Sequence, residues 1–258
     1  AFASVMTDEN QVITYCSPEK LGLAVPTAEQ LIAVVNAVKA AKIDAPAGEV
    51  VNEPLMDASK LKGSAVKKVE KGKFETTILT LSNGIEVYVK STNFKKDEVM
   101  LNLTSKGGSS LLPDSVIPSI SGSGLGLYLQ NAGISKFPLA KLKKILTGKA
   151  VSIAPFIKNS TQGIAGSSSP KDLETAFQLI YLYYTAPRFD STEYNVTLKN
   201  MKNMLPNMEK QPNFIFSNAY QKAMFDNNPR IPLFNSELIT KMNISAVEQG
   251  YRKLLSDA

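Results

Sequence analysis

Two pairs of carboxylates stand close enough along the chain to share one site: Asp172 with Glu174, and Asp190 with Glu193. Paired acids whose surroundings push their pKa values apart can divide a hydrolysis between them, one giving a proton and the other taking it. Each pair also falls in the first turn of a helix that the surrounding pattern predicts. Acidic side chains there are favoured by the helix dipole alone. The dipole accounts for both pairs without any chemistry, so no catalytic residue is assigned to them.

The remaining chemistry is bounded by what the chain lacks. None of its 258 residues is histidine, and Cys16 is the sole cysteine. Ser-His-Asp and Cys-His arrangements are out of reach, and so is an internal disulfide. Catalytic zinc usually takes at least two histidines, so a zinc site would need carboxylates almost alone. No metal ligand is assigned, no cofactor is expected within this chain, and no residue is singled out for substrate binding. Gly122-Ser123-Gly124-Leu125-Gly126 has the look of a phosphate loop. No strand feeds into it, no Lys-Ser/Thr follows, and its spacing is GxGxG rather than GxGxxG. It reads as a helix weakened by glycine. Phe177, Tyr181, Tyr183 and Tyr184 could form an aromatic platform, but their helical spacing favours core packing.

The net charge is +6 and the pI about 9.2. Such a surplus suits a polyanionic partner. The lysines are scattered apart from a run between Lys60 and Lys73, and no aromatic-basic signature accompanies them, so nucleic acid is not expected as a partner. Ala1-Phe2-Ala3-Ser4 lacks the pattern of a signal peptide, and no apolar run reaches the length of a membrane span.

The elements that would position any site follow from periodicity. Val12 to Tyr15 reads as a short strand, with Pro18 and Gly22 as breakers after it. A helix follows, capped by Thr27 with Gln30 at the capping-box position, and Leu31, Val34, Val35 and Val38 form its apolar stripe. One strand and one helix cannot bury that stripe, so residues 1–43 read as the tail of a domain lying upstream. Between Asp44 and Lys73 the periodicity disappears among Pro46, Gly48, Pro54, Gly63 and Gly72. Residues 44–75 therefore read as a linker.

A hairpin opens the next unit, with Ile78 to Leu81 running into Asn83-Gly84, a dipeptide suited to a type I′ turn. A third strand runs from Val99 to Ser105. Asp114 to Gly133 is helical in content but rich in glycine. Leu139, Leu142, Ile145 and Leu146 make a short helix, with Gly148 as its cap. Val151 to Phe156 and Gln162 to Gly166 read as two more strands. Ser169 is placed to cap a long helix with Pro170 at its first position and Leu173, Phe177, Ile180, Tyr181 and Tyr184 inward. Asp190 and Glu193 open another, with Tyr194, Leu198, Met201 and Leu205 on one face and Pro206 as its stop. A further helix covers about Asn213 to Phe225. The last starts near Ser245 and Glu248, with Val247, Tyr251, Leu254 and Leu255 inward. Strands and helices in this order predict an α+β layered domain, an antiparallel sheet packed by helices. Both ends look incomplete, and a closing strand is missing.

The wording of several segments resembles the M16 family of zinc metallopeptidases, insulinase- and pitrilysin-like, and within it the bacterial zinc proteases built as four similar domains. Leu81-Ser82-Asn83-Gly84-Ile85-Glu86-Val87 is similar to the family's LxNGxxV opening strand. Leu146-Thr147-Gly148-Lys149, the stretch from Gly166 to Glu174, the stretch from Gln178 to Arg188, and Asn228-Pro229-Arg230 add to it. The resemblance covers most of Thr76 to Ala258 and implies the LuxS/MPP-like metallohydrolase type of fold. It implies that 76–258 is a degenerate domain, the third of its parent, following the end of the second and a linker.

The family's active domain carries HxxEH on an early helix, where two histidines hold zinc and the glutamate activates water. The corresponding region, roughly Ser119 to Gln130, holds no ligand and no base. The resemblance thus implies a non-catalytic piece of a zinc endopeptidase, with zinc in a domain of the parent absent from this chain. That piece would form a chamber wall enclosing a peptide or unfolded polypeptide. Its partners would be that substrate and the parent's remaining domains, and its location periplasmic or otherwise exported in bacteria. The alternative is a stand-alone structural or binding module reusing the inactive fold.

Overall fold

A computed structural model describes residues 12–17, 22, 24–41, 53–61, 63–120 and 123–255. The expected breakers Pro18, Pro46 and Gly48 lie outside the described residues. The chain divides into two compact units, Ala1–Glu49 and Val50–Ala258.

In the first unit, helix α1 (Ala28–Ala40) starts as the sequence predicts. Thr27 Oγ1 accepts from Gln30 N at 3.3 Å, and Gln30 Oε1 accepts from Thr27 N at 2.9 Å, completing a capping box. Leu31 and Val35 are half-buried, while Val34 and Val38 are exposed. The strand expected at Val12 to Tyr15 does not form. Its residue types suit a pleat, but a strand needs a neighbour to take its N–H and C=O groups, and no described residue pairs with it.

The second unit contains two antiparallel sheets. The first has the order β1 (Val66–Lys71), β2 (Thr77–Leu81), β3 (Glu86–Val89). Strand β1 falls inside the stretch read as a linker, which corrects that reading for residues 66–71. Its six residues are all exposed, so burial imposes no alternation for a sequence pattern to reveal. Backbone pairing with β2 makes it a strand. The hairpin forms at the expected place with a different turn. Gly84 N donates to Leu81 O at 3.0 Å, and Leu81 N donates to Ile85 O at 2.9 Å. Only Gly84, at φ 89°, is left-handed. This is the three-residue loop closed by a left-handed glycine, not the type I′ turn that needs two such residues.

The second sheet has the order β4 (Val99–Lys106), β6 (Thr161–Ser168), β5 (Val151–Ile157). Along β4 the half-buried Val99, Leu101 and Leu103 alternate with exposed neighbours, as predicted. Helices α2 (Ile117–Ile120), α3 (Ser123–Asn131), α4 (Leu139–Ile145), α5 (Leu173–Thr185), α6 (Ser191–Met208), α7 (Pro212–Phe225), α8 (Ser236–Lys241) and α9 (Ile244–Leu255) complete an α+β domain of antiparallel sheets packed by helices. One core gathers Ile117, Ile120, Tyr128, Val247, Tyr251 and Leu255. Another gathers Leu55, Phe137, Ile153, Ile164, Leu179 and Ile180.

Several local expectations are corrected. Ser169 makes no cap bond to backbone; its hydroxyl donates to Asp172 Oδ2 at 2.6 Å. Helix α5 buries Thr175, Ala176, Leu179, Ile180, Leu182 and Tyr183, so its inward face is rotated by about a third of a turn from the expected stripe. Small Thr175 and Ala176 let the helix approach the sheet, leaving Phe177 and Tyr181 outside. Pro206 does not end α6, which runs to Met208; Glu209 N still reaches Leu205 O at 2.9 Å. Helix α9 is capped by Asn243, whose Oδ1 accepts from Ala246 N at 2.8 Å. Glu248 pairs instead with Arg252.

Candidate functional site

The region that a peptidase of the resembled family would use for zinc, Ser119 to Gln130, spans the end of α2 and most of α3. Here it is core. Ser119, Ile120, Leu125 and Tyr128 are buried. Ser119 Oγ accepts from Asn243 N at 3.0 Å, tying α2 to the start of α9. The Tyr128 hydroxyl accepts from Asp190 N at 2.7 Å and donates to Arg188 O at 3.2 Å, tying α3 to the start of α6. Tyr194 lies edge-on to Tyr128, at 5.3 Å between ring centres. Its hydroxyl is buried near Ser119 without an aligned partner, and burial pushes the phenol up to about 12. The residues do not fit zinc: Ser119 to Gln130 contains no His, Cys, Asp or Glu. Among the described residues, no three such side chains gather as a metal site would require.

Both carboxylate pairs are structural. Asp172 Oδ2 accepts from Ala150 N at 2.9 Å and from the Ser169 hydroxyl, joining the start of β5 to the start of α5. These bonds, Ser169 first, hold its carboxyl below the usual range. Glu174 points away and accepts from Gln178 Nε2 at 3.1 Å. Asp190 caps α6 through Thr192 N at 2.9 Å and Glu193 N at 3.0 Å. Arg188 bridges Asp190 at 2.9 Å and Glu193 at 3.3 Å. The aromatic set is divided rather than brought together: Tyr183 is buried, Tyr184 half-buried, and Phe177 and Tyr181 are exposed. Ser123 to Gly126 of the glycine-rich motif opens α3; Gly122 lies outside the described residues.

What the sequence did not single out is an apolar groove of about 590 Å³ between α6 and α7. Met201, Met204 and Met208 line one wall and Phe214 and Phe234 the other, and Thr197, Asn200 and Asn131 also border it. Phe214 and Phe234 meet edge-on at 6.3 Å. No charged side chain lines it. Flexible methionines adapt to side chains of varied shape, and an uncharged lining admits an apolar group. The spacing 201, 204, 208 follows one helix flank and is a signal for this wall. Phe234 comes from the segment between α7 and α8 and has no comparable signal. Arg230 fixes that segment to the body: its guanidinium donates to Ser109 O at 2.7 Å and Leu112 O at 3.2 Å, and pairs with Asp114.

No protein-family model matches the sequence. The chain is 26% identical over 201 residues to an Arabidopsis thaliana protein called zinc protease PQQL-like, covering 77% of this chain and 18% of that one. In structure it resembles the periplasmic protease PqqL from Escherichia coli, with a TM-score of 0.64 and 17% identity over 90% of this chain and 25% of that one. It also resembles the ferredoxin protease FusC, solved as a mutant in complex with Arabidopsis ferredoxin, with a TM-score of 0.56 and 15% identity over 91% of this chain and 26% of that one. The chain has the M16-type peptidase fold. It spans about a fifth to a quarter of the length of these relatives. Among the described residues, no helix is long and apolar enough to cross a membrane.

Proposed function

We propose that this chain is a non-catalytic part of an M16-type zinc endopeptidase, forming a wall of the chamber that encloses peptide substrate. Hydrolysis takes place at a zinc held by a domain outside this chain. One observation carries the reading: 201 residues align with a zinc protease, yet the chain has no histidine with which to hold zinc. Together these support a role for this segment other than metal binding.

A wall must hold an extended chain without reacting with it. The groove between α6 and α7 supplies apolar walls for one side chain of such a chain. Substrate held there adds binding energy remote from the reacting bond. The ferredoxin bound by FusC supports a protein or unfolded polypeptide as substrate. The periplasmic setting of PqqL supports export. The remaining domains of the parent are the other partners, and no nucleic acid is among them.

The test is to express the whole reading frame beside the 258-residue chain and measure bound zinc and cleavage of casein. About one zinc per polypeptide and cleavage are expected of the long form alone. Stoichiometric zinc or cleavage by the 258-residue chain overturns the reading, as does a reading frame with no HxxEH outside it.

A further inference from the structure

Helix α7 has apolar residues on two sides, and among the described residues only one of these sides is packed. On the inner side Phe214 meets Phe234, and Gln221 Nε2 donates to the carbonyls of Ile231 and Pro232 at 3.0 and 3.2 Å. On the outer side Ile215, Phe216, Tyr220 and Met224 are 54%, 70%, 56% and 58% exposed. At 100° per residue these four, with Ala219 and Ala223 between them, fill one half of the circumference. The rings of Phe216 and Tyr220 stack at 6.3 Å, forming a preassembled aromatic pair. Lys222 is the helix's lone charged residue, and no residue of α7 is buried. A contiguous exposed apolar patch of this kind marks an interface.

We propose that the outer face of α7 docks against an apolar, charge-poor face of another domain of the same, longer polypeptide. Length identifies the occupant. The chain spans 18% of the plant zinc protease and 25% and 26% of the two solved proteases, so most of such a polypeptide is available as a tethered neighbour. Tethering places that neighbour at millimolar effective concentration. Charge agrees: one lysine at the edge of the face gives no row of cations to read phosphate or acidic peptide. The inference rests on the chain being part of a longer protease, and its test separates the two.

Phe216→Cys, placed in a Cys16→Ser background, offers one thiol on the outer face. At 70% exposure the substitution leaves the packing of the second unit intact. Maleimide labelling is timed in the 258-residue chain and in the polypeptide of the complete reading frame. Labelling roughly tenfold or more slower in the long form is expected, since the thiol then reacts only through local opening. Adding Tyr220→Glu should restore fast labelling. Equal rates in both forms overturn the docking while leaving the chamber-wall reading standing. Slow labelling of the 258-residue chain that quickens on dilution makes the occupant a second copy. Protection of the long form only after casein is added makes it substrate. A reading frame with no further domain overturns both readings together.

Discussion

Strands β2 and β6 are each the middle strand of a three-stranded antiparallel sheet. Strand β6 buries Gln162, Gly163, Ile164 and Ser168; β2 buries none of its five residues. The difference is what covers them. Strand β6 lies under α5 and between two strands, with no room for a side chain at Gly163, where a Cβ would meet Leu103 O and C. The β1–β3 sheet has an apolar side, with Val69, Leu79 and Val87 in cross-strand register, and Val69 remains exposed. It stands on backbone bonds, cross-strand pairs and turn chemistry. Small sheets without a covered face are marginal, so the β1–β3 sheet should open locally while the body unfolds as one unit.

The largest effect expected from this contrast is at Tyr251. Its ring packs edge-on to Phe189 at 5.6 Å, and its hydroxyl, with burial raising its pKa, donates to Tyr183 O at 2.8 Å. Tyr251→Ala should cost about 3–5 kcal/mol, as large aromatic truncations in cores do. Tyr88→Ala, on the exposed face of β3, should stay within about 0.5 kcal/mol. Urea denaturation followed by circular dichroism reads both. Equal losses would mean that the β1–β3 sheet is packed as tightly as the core around Tyr251.

Acid should separate the regions next. Asp172, buried beside Ser169, has its carboxyl pKa lowered by the Ser169 hydroxyl, then by Ala150 N–H. A lowered folded-state pKa adds stability that is present above the ordinary carboxylate value, about 4. That stability is lost as pH falls from there through the lower folded value. Asp172→Asn should therefore be less stable than the native chain at neutral pH, and the gap should shrink through that acid window. The Lys68–Glu70 pair of β1, 62% and 47% exposed, supplies the control. Glu70→Gln should leave the urea midpoint at neutral pH almost unchanged, because exposed ion pairs contribute little. A gap for Asp172→Asn that stays constant down to low pH would remove the carboxylate from the account.

The same contrast explains how much the sequence revealed. The inward stripe of α9 was legible because polar residues flank Val247, Tyr251, Leu254 and Leu255, which are buried. On α5 the run from Leu179 to Tyr184 is apolar throughout, so periodicity cannot fix the phase there and bulk misled it. Strand β1 was illegible because all six of its residues are exposed. The site divides likewise. That Ser119 to Gln130 has no metal ligand was readable residue by residue. The groove was half readable: Met201 fell on the predicted face of α6, but the wall turns toward Met204 and Met208 only because α7 and Phe234 stand beside it. A groove between elements depends on tertiary placement, which no single element's pattern contains.

The smallest expected effect probes the turn itself. Gly84 sits at φ 89°, and nothing lies within 4 Å of the position a Cβ would take. Gly84→Ala thus meets no clash and bears only the backbone penalty for a left-handed residue, about 1–2 kcal/mol. In a strand pair buried in the body, a penalty of that size would move the global urea midpoint. In the β1–β3 sheet it should raise only the local opening equilibrium. Amide exchange at Leu81 N–H, bonded across the loop to Ile85 O, should quicken by roughly tenfold. Amides of β6 should keep their native rates. If they quicken too, the exposed sheet is coupled to the body, and the LxNGxxV hairpin is part of its core rather than a locally encoded attachment.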